Sequence, residues 1–328
     1  MSRDPAVDLE VLTMGRTGVD IYPLQSGVGL QDVETFGKFL GGSPTNVAVA
    51  AARLGHGAGV VTAVGDDPFG RFVTREMVRL GVSDRFVGVD PDLHTPVTFC
   101  EIFPPDNFPL WFYRSPTAPD MRIEVTDLDV GVIESVPLFW VTTTGLSEEP
   151  SAGTHLAALQ ARGRRAHTIL DLDYRPMFWP TPQTAMARIQ EVLPWVSVAV
   201  GNREECQVAV GEDDPDRAAD ALLAAGVELA VVKCGGEGVL AKTSTERVEV
   251  AATVVEVVNG LGAGDAFGGS LCHGLLSGWS VARTVAFASA AGAIVASRLE
   301  CSTAMPAADE VEAALAGSLP EPRRSLQP

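Results

Sequence analysis

Residues 259–267 read Asn-Gly-Leu-Gly-Ala-Gly-Asp-Ala-Phe, and this glycine-rich segment decides how the chain is interpreted. The valines of 254–258 before it predict a strand, and the spacing of Phe267, Leu271 and Leu275 after it predicts an amphipathic helix. Small residues allow a tight turn and leave the first N–H groups of the helix open, where their partial positive charge attracts anions. The segment therefore predicts a site for a negatively charged group.

Asp265 lies directly beside this predicted anion site. A carboxylate there can take a proton from a hydroxyl group as a phosphate arrives, which is the task of a base in phosphoryl transfer. A plain helix cap is the alternative interpretation. The chain has no GxxxxGK[ST] segment, and residues 15–18 (Gly-Arg-Thr-Gly) supply no GxGxxG turn. A Walker-type site and an NAD-dependent oxidoreductase are therefore disfavoured.

Short apolar segments alternate with helical patterns along most of the chain. The predicted strands and hairpin are residues 11–15, 59–64, 138–142, 168–171, 196–200, 229–233 and 243–258. Helices are predicted to begin at Ser43, as the N-cap, and to cover residues 69–80. This alternation predicts a three-layer α/β/α domain with a mostly parallel sheet covered by helices on both faces.

Two β-prone segments, residues 17–40 and 96–114, interrupt this alternation. They predict a small β-sheet lid inserted in a domain that covers residues 1–316. The tail, residues 317–328, is rich in proline and polar residues and is predicted to be disordered.

Composition narrows the classes of function. Hydrophobic residues make up 46% of the 328 residues, and no apolar run reaches the roughly 18 residues of a membrane span. A formal net charge of −18 without a basic cluster argues against a nucleic acid as partner. The five scattered cysteines indicate free thiols, and the start of the chain has no signal-peptide core. A cytoplasmic protein is expected, with no membrane partner.

Several segments resemble the ribokinase-like (PfkB) carbohydrate kinases. Residues 41–48 (Gly-Gly-Ser-Pro-Thr-Asn-Val-Ala) are similar to the first family signature, and residues 262–267 are similar to the second. Both occur in the family's order and at a similar separation, and the resemblance runs from about Gly15 to Pro306. It implies the ribokinase-like fold and an ATP-dependent kinase that acts on a sugar hydroxyl.

The resemblance also implies roles for single residues. In the family, the aspartate at the position of Asp265 is the catalytic base. Charge on the transferred phosphate is held by the amides at three positions, Gly262, Ala263 and Gly264. Sugar contacts come from the positions of Asp20, Gly42 and Asn46. The alternatives are a solvated loop carboxylate for Asp20 and helix capping for Asn46.

The family's contacts to nucleotide and metal match positions in the later part of the chain. Asn202 and Glu205 resemble an NxxE element that organises Mg²⁺ through water, although Asn-x-x-Glu is also a helix capping box. The other positions similar to ATP contacts are Lys233, Gly235, Gly238, Ala291 and Gly292. Turn formation is the alternative for Gly235 and Gly238, and helix packing is the alternative for Ala291 and Gly292.

Binding of K⁺ is left open. Many members have Asp-Thr at the positions of Asn259 and Gly260, and their aspartate helps to bind K⁺. Asn259 keeps an oxygen atom but lacks the charge.

Further segments resemble one subgroup, the 5-dehydro-2-deoxygluconokinases of inositol breakdown. They are residues 38–42, 108–114, 171–176 and 259–262. The substrate of that subgroup is a sugar acid, which requires a cationic clamp. Arg114 and Arg175 are the candidates, because guanidinium groups bind carboxylates through two hydrogen bonds. Pairing of Arg175 with Asp171 or Asp173 is the alternative.

Other activities stay open. The 2-dehydro-3-deoxygluconate kinases carry similar arginines, and residues 115–119 (Ser-Pro-Thr-Ala-Pro) depart from the first subgroup. Ribokinase-type or fructokinase-type activity is a further alternative, as is a non-catalytic sugar-binding regulator, although a regulator would be expected to have lost Asp265 or the glycine turn. Lid strands often pair between two subunits in relatives, so the resemblance implies a homodimer formed through the lid.

Overall fold

The computed structural model describes residues 9–319 and 321–324. In chain order, its strands are β1 (Leu9–Met14), β2 (Gly18–Pro23), β3 (Phe36–Gly41), β4 (Gly57–Gly65), β5 (Val82–Ser83), β6 (Val87–Asp90), β7 (Val97–Cys100), β8 (Leu110–Tyr113), β9 (Leu138–Thr142), β10 (Thr168–Asp171), β11 (Val198–Asn202), β12 (Leu229–Lys233), β13 (Val239–Lys242) and β14 (Arg247–Val250). The α-helices are α1 (Ser43–Arg53), α2 (Pro68–Arg79), α3 (Val130–Ser135), α4 (Ser151–Arg162), α5 (Pro182–Val192), α6 (Arg203–Val210), α7 (Pro215–Ala224), α8 (Ala263–Leu276), α9 (Val281–Ala296) and α10 (Ala308–Leu315).

The large sheet has ten strands and is mostly parallel. Its order is β14-β13-β12-β11-β10-β9-β1-β4-β5, and β6 pairs with the end of β4. Only the hairpin pairs β12–β13 and β13–β14 are antiparallel. The predicted mostly parallel sheet is confirmed, and three of its strands, β9, β10 and β12, have the predicted bounds.

Helices cover both faces of this sheet. Neighbouring residues of β1 show the alternation, because Val11 belongs to one hydrophobic core and Leu12 to the other. Helices α1, α2, α8 and α9 contribute side chains to the first core, and α3 to α7 contribute to the second. The predicted three-layer architecture is therefore confirmed.

A separate four-stranded sheet has the order β3-β2-β7-β8. Its strands lie in the two segments predicted for the lid, except that β3 extends one residue further, to Gly41. Strand pairing places Asp20, Thr98 and Phe112 side by side, so that they share one face of this lid sheet. The predicted small β-sheet is confirmed.

Two local predictions are wrong. The N-cap of α1 is Gly42, with a φ of 101°, and Ser43 is already the first helical residue. The hairpin predicted at 243–258 lies at 239–250 instead, because Thr243 belongs to the turn, where its hydroxyl accepts a hydrogen bond from the N–H of Glu246 at 3.0 Å. Residues 254–258 form no strand.

The ends of the chain are described in part. Residues 1–8, 320 and 325–328 lie outside the described residues, so the disordered tail predicted from residue 317 stays a prediction. Within the described part, the backbone N–H of Arg323 donates to the carbonyl oxygen of Ser297 at 2.8 Å. A search of the described helices for one with the length and hydropathy of a membrane span finds none.

Helices α1 and α8 approach each other closely because α8 carries glycines at the crossing. A Cβ atom at Gly269 would lie 2.9 Å from the backbone nitrogen of Ala51, and one at Gly268 would lie 3.0 Å from Cγ2 of Val47, both on α1. Both distances are too short for carbon, so a side chain at either position would push the helices apart. The contact places the first turns of α1 and α8 side by side.

We expect Gly269→Ala to lower the free energy of unfolding by about 1–3 kcal/mol, because the added methyl group overpacks the helix contact. Urea denaturation measures the change. The matched control is Gly131→Ala on α3, where the nearest atom to an added Cβ is 3.7 Å away and the residue is exposed. A Gly269→Ala protein as stable as the control would contradict the close-packing explanation.

Candidate active site

Polar side chains gather at the carboxyl edge of the large sheet, where open α/β sheets usually bind ligands. The strand ends carry four of them: Arg16 after β1, Asp171 on β10, Asn202 on β11 and Lys233 on β12. Helices α1 and α8 begin at the same edge, since the side chains of their first turns are hydrogen-bonded to each other.

The turn before α8 requires glycine for two reasons. Gly262 is the N-cap and has a φ of 81°, in the left-handed region that favours glycine. A Cβ atom there would also overlap the sulfur of Cys301. The N–H groups of Ala263, Gly264 and Asp265 lie in the first turn of α8, where an α-helix leaves its amides without partners in the helix.

Two side chains from the first turn of α1 hold the carboxylate of Asp265. Ser43 Oγ donates to Oδ1 at 2.8 Å, and Asn46 Nδ2 donates to Oδ2 at 2.8 Å. Burial raises the pKa of Asp265, and the hydrogen bond from Asn46 partly offsets this effect. These bonds run to another helix, whereas a capping carboxylate binds amides of its own helix.

Asp20 reaches the site from the lid sheet. The hydroxyl of Tyr22 donates to its Oδ2 at 2.9 Å. Burial raises the pKa of Asp20 to about 6, against the lowering effects of the Tyr22 hydroxyl and of the Arg16 guanidinium. The negative charge of Asp265 also contributes to the increase, so the two carboxylates lie near enough to repel each other.

An ion-pair network lies at the end of β10. Asp173 Oδ1 is 2.8 Å from Arg175 Nη2, and its Oδ2 is 3.2 Å from Arg16 Nη2. Burial by itself would raise the pKa of Asp173, but Arg175 and Arg16 together hold it below the usual aspartate value. The pKa of Asp171 is raised instead, because the effect of burial exceeds that of the nearby Lys233. The alternative pairing of Arg175 with Asp173 is therefore observed.

Arg114 lies at the base of the lid. Its Nη2 is 2.7 Å from the fully buried carboxylate of Asp120, and its guanidinium lies 5.0 Å from the ring centre of Phe178. The Phe178 ring in turn contacts Phe112 of the lid at 4.8 Å between centroids. Arg114 thus links the lid to the main domain.

The Asn202–Glu205 segment forms a capping box at the start of α6. Asn202 Oδ1 accepts from the N–H of Glu205 at 2.9 Å, and the N–H of Asn202 donates to Glu205 Oε2 at 2.6 Å. Glu205 also lies 3.8 Å from Lys233 Nζ and 3.6 Å from Arg175 Nη1. Lys233 approaches α8, because a Cβ at Gly264 would be 3.6 Å from its Nζ.

The remaining predicted nucleotide residues lie in a turn and on a helix. Gly235 and Gly238 belong to the β12–β13 turn, with φ values of 57° and 105°, which suits the turn-forming alternative. Ala291 and Gly292 are buried on α9, and a Cβ at Gly292 would lie 3.0 Å from the carbonyl oxygen of Ala263. Close packing against the start of α8 accounts for the small residues at that position.

Asn259 fastens the segment before the glycine turn. The residue is fully buried, its Nδ2 donates to the carbonyl oxygen of Leu299 at 2.8 Å, and its Oδ1 accepts from the N–H of Leu261 at 3.1 Å. The amide thereby stabilises the turn, and both of its polar atoms have partners within the protein. In the described part of the chain, no group of three or more His, Cys, Asp or Glu side chains has the spacing to hold a metal ion.

Sequence reasoning missed four residues of this site, Arg16, Ser43, Tyr22 and Asp173. Asp173 was considered only as a partner of Arg175, and Ser43 only as a helix cap. Arg16 directly follows the predicted strand that ends at Gly15. A polar residue at the end of a buried strand was the one local signal that could have suggested Arg16.

The chain is similar to known proteins over most of its length. The pfkB family carbohydrate kinase pattern matches residues 8–308. A relative from Photobacterium profundum, named 5-dehydro-2-deoxygluconokinase, is 34% identical over 308 residues, which cover 91% of this chain and 92% of the relative.

Solved structures share the fold. A PfkB protein from Polaromonas sp. JS666 has a TM-score of 0.80 at 26% identity, over 93% of this chain and 99% of that one. An E. coli protein described as a ribokinase II, in complex with ATP and Mg²⁺, has a TM-score of 0.85 at 22% identity, over 94% of this chain and 99% of that one. The family match over residues 8–308 and the 34% identity over most of both chains show that the chain belongs to the pfkB family of carbohydrate kinases.

Proposed function

We propose that this sugar kinase transfers the γ-phosphoryl group of ATP to a hydroxyl of 5-dehydro-2-deoxygluconate. The observation that carries the proposal is the Asp265 carboxylate, held by Ser43 and Asn46 beside the open amides of α8. The relative from Photobacterium profundum is named for this activity, which supports the choice of substrate.

Asp265 acts as the base. Its carboxylate takes the proton of the sugar hydroxyl, the hydroxyl oxygen forms the new bond to phosphorus, and the bond to the leaving ADP oxygen breaks. The amides of Gly262, Ala263 and Gly264, together with the dipole of α8, stabilise the charge on the transferred group. The raised pKa of Asp265 makes it a better proton acceptor than an exposed aspartate.

The sugar lies between the lid sheet and the first turn of α1. Asp20 accepts hydrogen bonds from sugar hydroxyls, and Asn46 uses its amide oxygen, which is buried and has no partner among the described residues. Gly42 is proposed to contact the sugar through its backbone. Glycine is required there because φ is 101° and a Cβ atom would overlap the carbonyl oxygen of Arg16. Arg114 and Arg175 are the predicted clamp for the sugar carboxylate, although each already pairs with a protein carboxylate.

ATP lies along the ends of β11 and β12 and against the start of α8. Its contacts are proposed to be Asn202, Lys233, Gly235, Gly238, Ala291 and Gly292. Glu205 would hold Mg²⁺ through water, because the carboxylate is mostly buried and already contacts Lys233 and Arg175. The bound ion would supply positive charge that neutralises the phosphates. The E. coli structure with bound ATP and Mg²⁺ supports the choice of both ligands.

The enzyme is proposed to form a homodimer through the outer face of the lid sheet. This face carries aromatic side chains with large exposed fractions, Phe36 at 40%, Trp111 at 53% and Tyr113 at 67%. Phe99 packs edge-to-face between Phe36 and Tyr113, so the aromatic surface is continuous. A second copy of the chain would cover apolar surface that otherwise contacts water.

We expect Asp265→Asn to lower kcat by about 10²–10⁴-fold, because the amide keeps the size of the side chain but cannot accept a proton. A coupled assay of ADP release measures kcat at saturating sugar and ATP. Asp66→Asn, a change at an acid with 69% side-chain exposure, is the control and should leave kcat unchanged. Full activity of Asp265→Asn would sink the assignment of the base.

The pH dependence of kcat/KM for the sugar should reveal Asp20. With a pKa of about 6, Asp20 is ionised at neutral pH, and protonation on acidification removes its ability to accept hydrogen bonds from the sugar. We therefore expect kcat/KM to fall as the pH decreases through about 6. Asp20→Asn should lose the part of this decline that belongs to Asp20, so that only protonation of the base Asp265 remains, and should have a lower kcat/KM at neutral pH. An unchanged acid limb in the variant would show that another group titrates there.

We expect light scattering to give the mass of a dimer for the wild-type chain and of a monomer for Trp111→Asp, because a charge at the centre of the aromatic face disfavours its burial. Val89→Asp is the control, since Val89 is an apolar residue with 62% exposure on β6, outside the lid. A monomeric wild-type protein would refute the lid dimer.

The substrate is tested by an ATP-consumption screen with sugar acids, hexoses, pentoses and nucleosides, each run with K⁺ and with Na⁺. Highest kcat/KM with 5-dehydro-2-deoxygluconate supports the proposal. A preference for 2-dehydro-3-deoxygluconate, ribose or fructose would change the assigned substrate but leave the assignment as a kinase intact. Sugar binding without any ADP release would indicate the non-catalytic regulator.

A further inference from the structure

Arg16 is a buried cation for which the family resemblance implied no role. It follows β1 at the carboxyl edge of the sheet and is only 9% exposed. Its guanidinium lies 5.7 Å from the centre of the Phe112 ring, which belongs to the lid strand β8. The side chain therefore lies where the lid meets the large sheet, which is the position proposed for the sugar.

The guanidinium of Arg16 has unused hydrogen-bond donors. Its Nη2 pairs with Asp173 at 3.2 Å, and its buried Nε–H has no partner among the described residues. Arginine carries five N–H donors, and burying them without acceptors is unfavourable. Nε–H and Nη2 lie on the same edge of the guanidinium, so a group that accepts from Nε–H would bind beside Asp173. A buried guanidinium with one carboxylate partner and an unpaired Nε–H is suited to a second acceptor.

The other two arginines of the site have more protein partners or a different location. Arg175 also has a buried Nε–H without a partner among the described residues, but both of its Nη atoms are in use. They contact Asp173, Glu205 and the carbonyl oxygen of Tyr174. Arg114 is paired with the fully buried Asp120 at the base of the lid. Arg175 also fixes Asp173, and Asp173 in turn fixes Arg16.

The electrostatics of the site point to Arg16 as well. The positive charge of Arg16 lowers the pKa values of Asp20 and Asp265, although burial raises both. Arg16 therefore lies within electrostatic reach of these two carboxylates, which are proposed to contact the sugar hydroxyls. These carboxylates repel an acidic group on a substrate. A sugar acid therefore needs a nearby cation that can bind its carboxylate.

We infer that Arg16, rather than the predicted clamp of Arg114 and Arg175, is the specificity-determining residue that binds the carboxylate of an acidic sugar. Asp173 is the positioning residue that orients Arg16. The inference rests on the proposed sugar-acid substrate. It predicts discrimination between an acidic sugar and a neutral one. A purely structural ion pair between Arg16 and Asp173 would affect both sugars alike.

The test compares two substrates, 5-dehydro-2-deoxygluconate and the neutral analogue in which a hydroxymethyl group replaces the carboxylate. We expect Arg16→Met to lower kcat/KM for the acid by about 10²-fold, because a buried charge pair is lost, and to change kcat/KM for the neutral analogue by less than about 5-fold. The KM for ATP should stay within about 2-fold of the wild-type value. Arg85→Met, which removes a half-exposed ion pair with Asp129, is the control and should behave as the wild type.

Arg16→Lys provides a second test of the inference if the Arg16→Met protein does not fold. Lysine keeps the charge and the contact with Asp173 but not the two-pronged geometry, so the KM for the acid should rise by about 10-fold while the KM for the neutral analogue is unchanged. Equal losses for both substrates in these variants would overturn the inference and leave the proposed function standing. A wild-type enzyme that phosphorylates neutral sugars but no sugar acid would refute the proposed substrate and the role of Arg16 together.

Discussion

The hydrogen bonds between Asp265 and the first turn of α1 are the interaction on which the rest of the site depends. They join residues 222 and 219 positions apart in the chain, and they exist only because α1 and α8 cross closely at Gly268 and Gly269. Each helix contributes a different property at the crossing. Helix α8 supplies the carboxylate and open amides, and α1 supplies the donors that fix the carboxylate in place.

The balance of charge in the site follows from burial. Five carboxylates lie near the edge of the sheet, Asp20, Asp171, Asp173, Glu205 and Asp265, and three cations face them, Arg16, Arg175 and Lys233. Asp173, which contacts two arginines, has a lowered pKa, whereas Asp265, which is held by neutral donors, has a raised pKa. One cluster thus contains both strongly ionised anchors and groups able to accept protons.

Aromatic and ionic contacts beside the proposed sugar position connect the lid to the main domain. The Phe112 ring packs on Phe178, Arg114 pairs with Asp120 below it, and Arg16 lies beside Phe112 on the site side. A ligand that binds Arg16 would therefore also contact the surface that positions the lid. Recognition of the sugar and the position of the lid are physically linked through these residues.

The sequence by itself determined the architecture and the central carboxylate. Short continuous apolar runs are typical of strands buried on both faces, and a period of 3.6 residues is typical of helices with one buried face. Strands such as β9, β10 and β12 and their alternation with helices could therefore be predicted. The glycine turn before Asp265 is also a local signal. Local reasoning was less reliable where side chains and turns compete, as at the start of α1 and in the β13–β14 hairpin.

Only the tertiary structure decided which side chains meet. Arg16 and Asp173 are 157 residues apart, and no local pattern records their contact. The same holds for Ser43, whose hydroxyl binds a distant helix instead of capping its own, and for Arg114, which pairs with a buried carboxylate below the lid. Hydrophobic periodicity specifies where a segment is buried, whereas a hydrogen-bond partner depends on how the layers pack, and packing is a property of the whole chain.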